Sequence, residues 1–250
     1  MTNKPLRVAV NGALGRMGVE ISSALTVDFD TIRAAALTRD NTEFNRETVD
    51  VVVDFSTPEA TLKLLEKCRN EKVPLLIGTT GFTKEQNVIL EDEISKTSDV
   101  VAVGITPNSS EGMNVVYDIV RQTAEKLPDF KVSVHEKHHQ HKKDDLSGTA
   151  VHLIEVISQG LGVNIEISGN SNVVESYSND PNIKISSMRE GDSCGEHHVT
   201  FMGEGEQIEI IHKATDRSCF VKGAVKMAKF LAWAPPGIYR NRGLFPIASS

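Results

Sequence analysis

A chain of 250 residues with 24% charged and 39% apolar residues can bury one or two globular cores, and its formal net charge of -7 argues against a nucleic-acid partner, because phosphate binding needs a basic surface. Cys68, Cys194 and Cys219 are scattered and form no C-x-x-C pair, so neither a disulfide framework nor a cysteine zinc site is indicated. No run reaches the ~18 consecutive apolar residues of a membrane span and no signal-peptide core follows Met1, which predicts a cytoplasmic protein without a membrane partner.

Residues 7–10 read as a strand that runs directly into Asn11-Gly12-Ala13-Leu14-Gly15-Arg16-Met17-Gly18. Met17, Ile21, Ala24 and Leu25 then share one helical face. In such a strand, turn and helix, Gly12 makes the tight turn, Gly15 lets the backbone approach a pyrophosphate, and Gly18 lets helix and strand pack closely. The spacing is G-x-x-G-x-x-G rather than G-x-G-x-x-G, and a plain tight turn is the alternative; the position after the first strand favours the dinucleotide reading. A second strand, 31–37, should end where the adenosine ribose is read. Thr38 and Arg39 stand there. With no carboxylate to repel it, a 2′-phosphate can pair with the Arg39 guanidinium, so NADPH is expected over NADH, while Asp40, one residue late, keeps NADH open.

Residues 51–55 form a buried-type strand, followed by a helix start with Thr57 as cap and Pro58 at the first helical position. Strand 75–77 ends in Gly78-Thr79-Thr80-Gly81-Phe82, and strand 100–105 in Thr106-Pro107-Asn108-Ser109. This alternation predicts an α/β fold with a doubly wound parallel sheet. Ligands of such sheets bind beyond the carboxyl ends of the strands, so both loops fall where a nicotinamide would lie.

A helix is expected over 112–127, then a short strand over 131–134. Next comes the densest stretch in the chain, Val134-His-Glu-Lys-His-His-Gln-His-Lys-Lys-Asp-Asp-Leu-Ser-Gly-Thr-Ala150. Its histidines and Lys142 are expected on a loop, ahead of a helix that opens at Ser147-Gly148-Thr149 and continues through Val151, Ile154, Ile157 and Leu161. Backbone N–H groups of Gly148 and Thr149 at a helix N-terminus suit a carboxylate. Lys142 and Lys143 add charge, and His138, His139 and His141 add imidazoles, whose unperturbed pKa of ~6.5 suits proton transfer at neutral pH. Together these predict a pocket that holds an anion and hands over a proton. A solvated polar loop is the plain alternative. His135-Glu136-Lys137-His138-His139 also matches H-E-x-x-H, but that zinc pattern needs a helix, and a strand runs into His135, so no metal is expected.

Past Gly160, short alternating runs at 183–185, 198–202 and 207–212 among glycines predict an antiparallel or mixed sheet in an inserted α+β domain. A last helix near 218–233 should return to the first domain. The expected organisation is 1–109 with 219–250 as the dinucleotide-binding (Rossmann) domain and 110–218 as the substrate-binding and oligomerisation domain.

The chain resembles the 4-hydroxy-tetrahydrodipicolinate reductase (dihydrodipicolinate reductase) family, with matches from Val8 to Trp233: the 12–18 turn, Asp54-Phe55-Ser56-Thr57-Pro58-Glu59-Ala60, Gly78 to Phe82, and His212-Lys213-Ala214 with Arg217, Phe220, Gly223 and Ala224. The most specific match is Glu136, His138, His139, His141, Lys142 and Ser147 to Ala150. The resemblance implies hydride transfer from NAD(P)H to a cyclic imine dicarboxylate in diaminopimelate and lysine biosynthesis. His138 would be the acid/base residue, Lys142 the proton donor, and His139, Gly148 and Thr149 the substrate carboxylate site. Gly12, Ala13, Leu14, Gly15, Arg16, Met17, Arg39, Gly78, Thr79, Thr80, Thr106, Pro107, Asn108 and Ser109 would line the cofactor. Relatives imply a homotetramer through the second domain's sheet. The segment 38–49 is shorter than the family usually has, Ser109 stands where an aromatic is common, and Lys143, Asp145 and Leu146 replace a more usual apolar residue, Ala and Pro. Rival readings are a zinc metallohydrolase on His135, Glu136 and His139, a cofactor-sensing module without chemistry, and another imine or semialdehyde reductase.

Overall fold

The structure, a computed structural model, describes residues 4–140, 146–165, 167–168, 175–178 and 182–245. In chain order its elements are β1 (Leu6–Asn11), α1 (Arg16–Val27), β2 (Thr31–Leu37), β3 (Val51–Asp54), α2 (Pro58–Glu71), β4 (Leu75–Ile77), α3 (Lys84–Ser98), β5 (Ala102–Ile105), α4 (Glu111–Lys126), β6 (Lys131–His138), α5 (Gly148–Leu161), β7 (Ile167–Ser168), β8 (Glu175–Ser178), β9 (Ile183–Arg189), β10 (Glu196–Met202), β11 (Gln207–Lys213), α6 (Ser218–Leu231) and β12 (Gly237–Arg240). They fall into two compact units, Met1–Glu111 with Ser218–Ser250, and Gly112–Arg217.

The first unit is a parallel sheet in the order β12-β5-β4-β3-β1-β2. Its central strands are continuous apolar runs, Val51-Val52-Val53 and Leu75-Leu76-Ile77, because helices cover both faces. One cluster joins Val8, Val10, Ile21 and Leu25 to Val221, Ala224, Ala228 and Leu231, so α6 packs beside α1. A second joins Val52, Leu75 and Val103 to Leu65, Leu90 and Ile94 of α2 and α3. α2 starts at Pro58 with Thr57 Oγ1 accepting from Ala60 N, as the sequence predicts. The chain order reverses between β1, which has β2 on one side and β3 on the other, and such a switch point opens a crevice beyond the strand ends.

The second unit is a mixed sheet in the order β11-β10-β6-β9-β8-β7, with β6 and β9 parallel and the other pairs antiparallel. Helices α4 and α5 cover one face through Met113, Tyr117, Val120, Leu153, Ile154 and Ile157. Register stacks that face in rows. One row is Ile183, Val132, Phe201 and Ile208, and the next is Ile185, Val134, Val199 and Ile210. The row after it is Ser187, Glu136, His197 and His212, so the apolar face becomes polar at one end of the sheet.

Candidate functional site

The first unit carries its candidate residues on loops at the carboxyl ends of β1, β2, β4 and β5. Gly12 has φ +74°, and a Cβ there would lie 2.4 Å from the Phe55 carbonyl oxygen. A Cβ on Gly18 would lie 2.1 Å from the Gly12 carbonyl oxygen, so α1 and the turn touch backbone to backbone. Gly15 is the N-cap of α1 and bonds no helix amide through a side chain. A glycine-only turn opening a helix this way suits a pyrophosphate, which binds N-terminal amides and the positive dipole end. Leu14 and Arg16 are exposed, Ala13 is buried and Met17 is half-buried.

Behind this turn the fully buried Asp54 carboxylate collects four side chains. Asn11 Nδ2 (2.8 Å) and Ser56 Oγ (2.5 Å) donate to Oδ1, and Thr61 Oγ1 (2.5 Å) and Thr79 Oγ1 (2.9 Å) donate to Oδ2. Burial pushes its pKa up, against the pull of those four bonds. The loops after β1, β3 and β4 are thereby joined through one group, which fixes Thr79 but leaves Gly78 half-buried and Thr80 exposed. In the loop after β5, Thr106 Oγ1 donates to the Asn108 carbonyl (2.6 Å) and Pro107 is half-buried. Ser109 turns its hydroxyl onto the Phe220 carbonyl (2.8 Å), and a Cβ on Gly223 would overlap the Ser109 carbonyl. Its side chain therefore serves the packing of α6. Arg39 is exposed just past β2, where Thr38 N donates to the Asn41 carbonyl (2.8 Å).

The second unit centres on Glu136, to which sequence reasoning gave a role only in the rival zinc reading. Strand β6 does not stop at Val134 but runs through His138, which corrects the expectation that all the histidines lie on a loop. Side chains alternate along a strand, so Glu136 and His138 continue the inward face of Val132 and Val134. Glu136 is fully buried at the mouth of α5. Ser147 N donates to both its oxygens (3.1 and 3.2 Å), and Ser147 Oγ also donates to Oε2. Ser187 Oγ (3.1 Å) and Arg189 Nη2 (2.9 Å) donate to Oε1. His138 Nδ1 and His197 Nε2 lie 3.5 and 3.6 Å from Oε2. Burial opposes ionisation, yet His197, Ser147, the charge of His138 and Arg189 together hold this carboxyl well below the usual range.

The same hydroxyl of Ser147 accepts from Ala150 N (3.1 Å), which caps α5 as predicted. Gly148 and Thr149 form the first turn beyond that cap. His139 follows the strand, its N–H donating to the Ser193 carbonyl (3.0 Å). His141, Lys142 and Lys143 lie outside the described residues. His135 is on the opposite face of β6, where its Nδ1 is 2.8 Å from Ser186 Oγ.

This geometry separates the proposed zinc set. His135 and Glu136 face opposite sides of the sheet, and four residues of extended chain span about 13 Å, too far for His135 and His139 to share an ion. Glu136, His138 and His197 do bring three possible ligand atoms within 4.8 Å of one another. The Glu136 carboxylate there already serves the Arg189 guanidinium and two serines. Arg189, Ser187 and His197 belong to no motif. The signal available in sequence was polar residues at inward positions of β9 and β10.

Residues 6–109 match the family model described as dihydrodipicolinate reductase, N-terminus, and residues 112–244 match its counterpart described as dihydrodipicolinate reductase, C-terminus. The 4-hydroxy-tetrahydrodipicolinate reductase of Hahella chejuensis is 36% identical over 261 residues, covering 93% of this chain and 96% of its own. That of Methanothermobacter thermautotrophicus is 35% identical over 269 residues, covering 95% and 97%. A dipicolinate-bound dihydrodipicolinate reductase from Paenisporosarcina sp. TG-14 has the same fold, with TM-score 0.71, 22% identity, and coverage of 97% of this chain and 100% of that one.

Proposed function

The chain belongs to the dihydrodipicolinate reductase family of nicotinamide-dependent oxidoreductases, and from that premise we propose that it prefers NADPH and that His138 and Lys142 supply the proton. It reduces 4-hydroxy-tetrahydrodipicolinate, which loses its hydroxyl as water to give a conjugated imine that takes one hydride and one proton, to tetrahydrodipicolinate in the diaminopimelate and lysine pathway. The bound nicotinamide supplies the hydride. Gly12 to Met17, with Gly78 to Thr80 and Thr106 to Ser109, hold the dinucleotide, and Arg39 pairs with the 2′-phosphate.

The observation that carries the residue roles is the line from His138, whose Nδ1 lies 3.5 Å from Glu136 Oε2, through the Glu136–Ser147 hydrogen bonds to the first turn of α5. Gly148 and Thr149 on that turn, with His139, hold a substrate carboxylate, because helix N-terminal amides favour an anion. Reduction of a conjugated imine builds negative charge. A cation, Lys142, stabilises it, and His138, an acid with a partner carboxylate, quenches it by giving up a proton. The substrate is a dicarboxylate, matching the dipicolinate bound to the Paenisporosarcina enzyme.

The second unit's sheet has a face turned away from α4 and α5, carrying Ser133, His135, Ser186 and His198, and it joins four copies in a homotetramer. The location is cytoplasmic; among the described residues no helix is long and apolar enough to cross a membrane. NADPH oxidation measured with and without the dicarboxylate imine tests the reaction: turnover should need the imine. His138→Ala and Lys142→Ala should each lower kcat about 10²–10⁴-fold with little change in NADPH affinity. Unchanged kcat in both would overturn their roles. Light scattering that reports a monomer would overturn the tetramer.

A further inference from the structure

His138 and Glu136 are two residues apart on β6, so their side chains share its buried face, with Nδ1 3.5 Å from Oε2. An opposite charge at that distance favours the protonated imidazole. The other groups facing His138 can be named element by element. Arg189 is its register partner on β9, and Glu190 beside it pairs with Lys137 on the far side of β6 (2.7 Å). His197 on β10 meets it edge to face, with ring centroids 5.2 Å apart, and His212 on β11 stands behind His197. The carboxylate divides its work between them: Oε1 takes the Arg189 guanidinium and Ser187, while Oε2 faces His138, His197 and Ser147. On the other side of the ring is Gly195, φ +143°, where a Cβ would lie 3.0 Å from His138 Nε2. A side chain at 195 would press on the nitrogen turned away from Glu136.

We propose that Glu136 is a positioning residue for the reduction: it holds His138 as an imidazolium, turned so that Nε2 delivers the proton, and through Ser147 it fixes the substrate-binding turn of α5 to the same carboxylate. This rests on the reading of His138 as proton source. In each turnover the His138 proton passes to the reduced substrate and the imidazole is reprotonated from solvent, while Glu136 stays ionised. One buried anion thus sets both the charge of the acid and the place of the anion site.

The test is Glu136→Gln in the full chain, which keeps shape and removes charge. Imidazole NMR titration of the free protein, without substrate or cofactor, should show the His138 pKa falling by about 1 unit or more. The basic limb of kcat against pH should move down by the same amount, with kcat recovering at low pH. A lowered melting temperature with neither titration moved would make Glu136 a brace only and overturn the proposal. A shifted His138 titration with an unmoved rate profile would also overturn it, and would locate the failure in the role of His138 rather than in its pairing. Should Glu136→Gln not fold, Arg189→Gln removes a like charge instead. It must then move both the titration and the limb to higher pH, and no movement overturns the proposal.

Discussion

Ser147 gives both its backbone N–H and its hydroxyl to the carboxylate of Glu136, so the last buried acid of β6 and the cap of α5 are one bonded unit. The hydroxyl also accepts from Ala150 N. Ser147→Ala deletes the cap bond, worth about 0.5–2 kcal/mol. It also deletes a bond to a charged group, worth about 1.5–3 kcal/mol. Urea denaturation should show a loss of roughly 2–5 kcal/mol, and KM for the dicarboxylate should rise more than kcat falls. A loss under about 0.5 kcal/mol would mean that Glu136 and α5 are held by other bonds.

The same carboxylate makes stability depend on acid. Its pKa in the folded chain lies below the ordinary 4.5, so its stabilisation is fully present above that pH and is lost as pH falls from there toward the folded value. Wild-type melting temperature should therefore drop as pH falls below about 4.5, with a smaller drop in Glu136→Gln, which has no proton to take up there. Parallel melting curves for the two proteins across that range would contradict the assignment.

How much of this was legible in the sequence depends on whether a residue's partner was near in the chain. The Thr57 cap, Pro58, the strand Thr31–Leu37 and the Ser147 cap obey local rules, and the structure has them where the residues predict. Strand β6 was read four residues short because its inward face changes from Val132 and Val134 to Glu136 and His138. A polar pair at buried positions looks like a strand end. Here the strand continues, and the polar pair is made tolerable by partners about 50 to 60 residues away, Ser187, Arg189 and His197, which sheet register alone delivers. Edge strand β12 escaped for a related reason: its four residues, Gly-Ile-Tyr-Arg, pair with β5, more than 130 residues earlier in the chain.

Asp54 offers a contrast between charge and shape. Burial raises its pKa, so above the ordinary 3.8 the unfolded chain gives up a proton that the folded chain keeps, and the group becomes a growing cost as pH rises through its folded pKa. Asp54→Asn removes that cost. Its amide oxygen can still accept from Asn11 and Ser56, while Thr61 can turn its hydroxyl to the Thr57 carbonyl, 3.1 Å away. Relative to wild type, Asp54→Asn should therefore gain stability with rising pH. Asp54→Ala should lie about 1–3 kcal/mol below Asp54→Asn at every pH by leaving buried polar groups unpaired. Denaturant midpoints followed upward from pH 3.8 separate the two, and an Asn variant as unstable as the Ala one would sink the account.

Gly18 tests the nucleotide turn without touching a ligand-facing side chain. A methyl group there would overlap the Gly12 carbonyl at 2.1 Å, backbone against backbone, and neither can rotate away. Gly18→Ala should push the turn off α1 and destabilise the first unit by about 1–3 kcal/mol, the usual range for overpacking. Dinucleotide affinity, followed by NADPH fluorescence, should fall at least tenfold. Gly81→Ala is the control, because no atom lies within 4 Å of its Cβ position and only its φ of +84° opposes the change.

Arg39 is the residue to which the proposed preference for NADPH is assigned. It is exposed just past β2, beside the turn in which Thr38 N bonds the Asn41 carbonyl. A charge-assisted bond to a 2′-phosphate is worth about 1.5–3 kcal/mol, or roughly 10–100-fold in affinity. Arg39→Ala should therefore cut kcat/KM for NADPH by that factor and leave kcat/KM for NADH nearly unchanged, since NADH has no 2′-phosphate to lose. Arg39→Asp should go further and reverse the preference, because a carboxylate repels the phosphate and can accept from the ribose hydroxyls. If Arg39→Ala lowers both ratios equally, Arg39 supports the fold of the turn rather than reading the ribose, and the preference must be set by another residue.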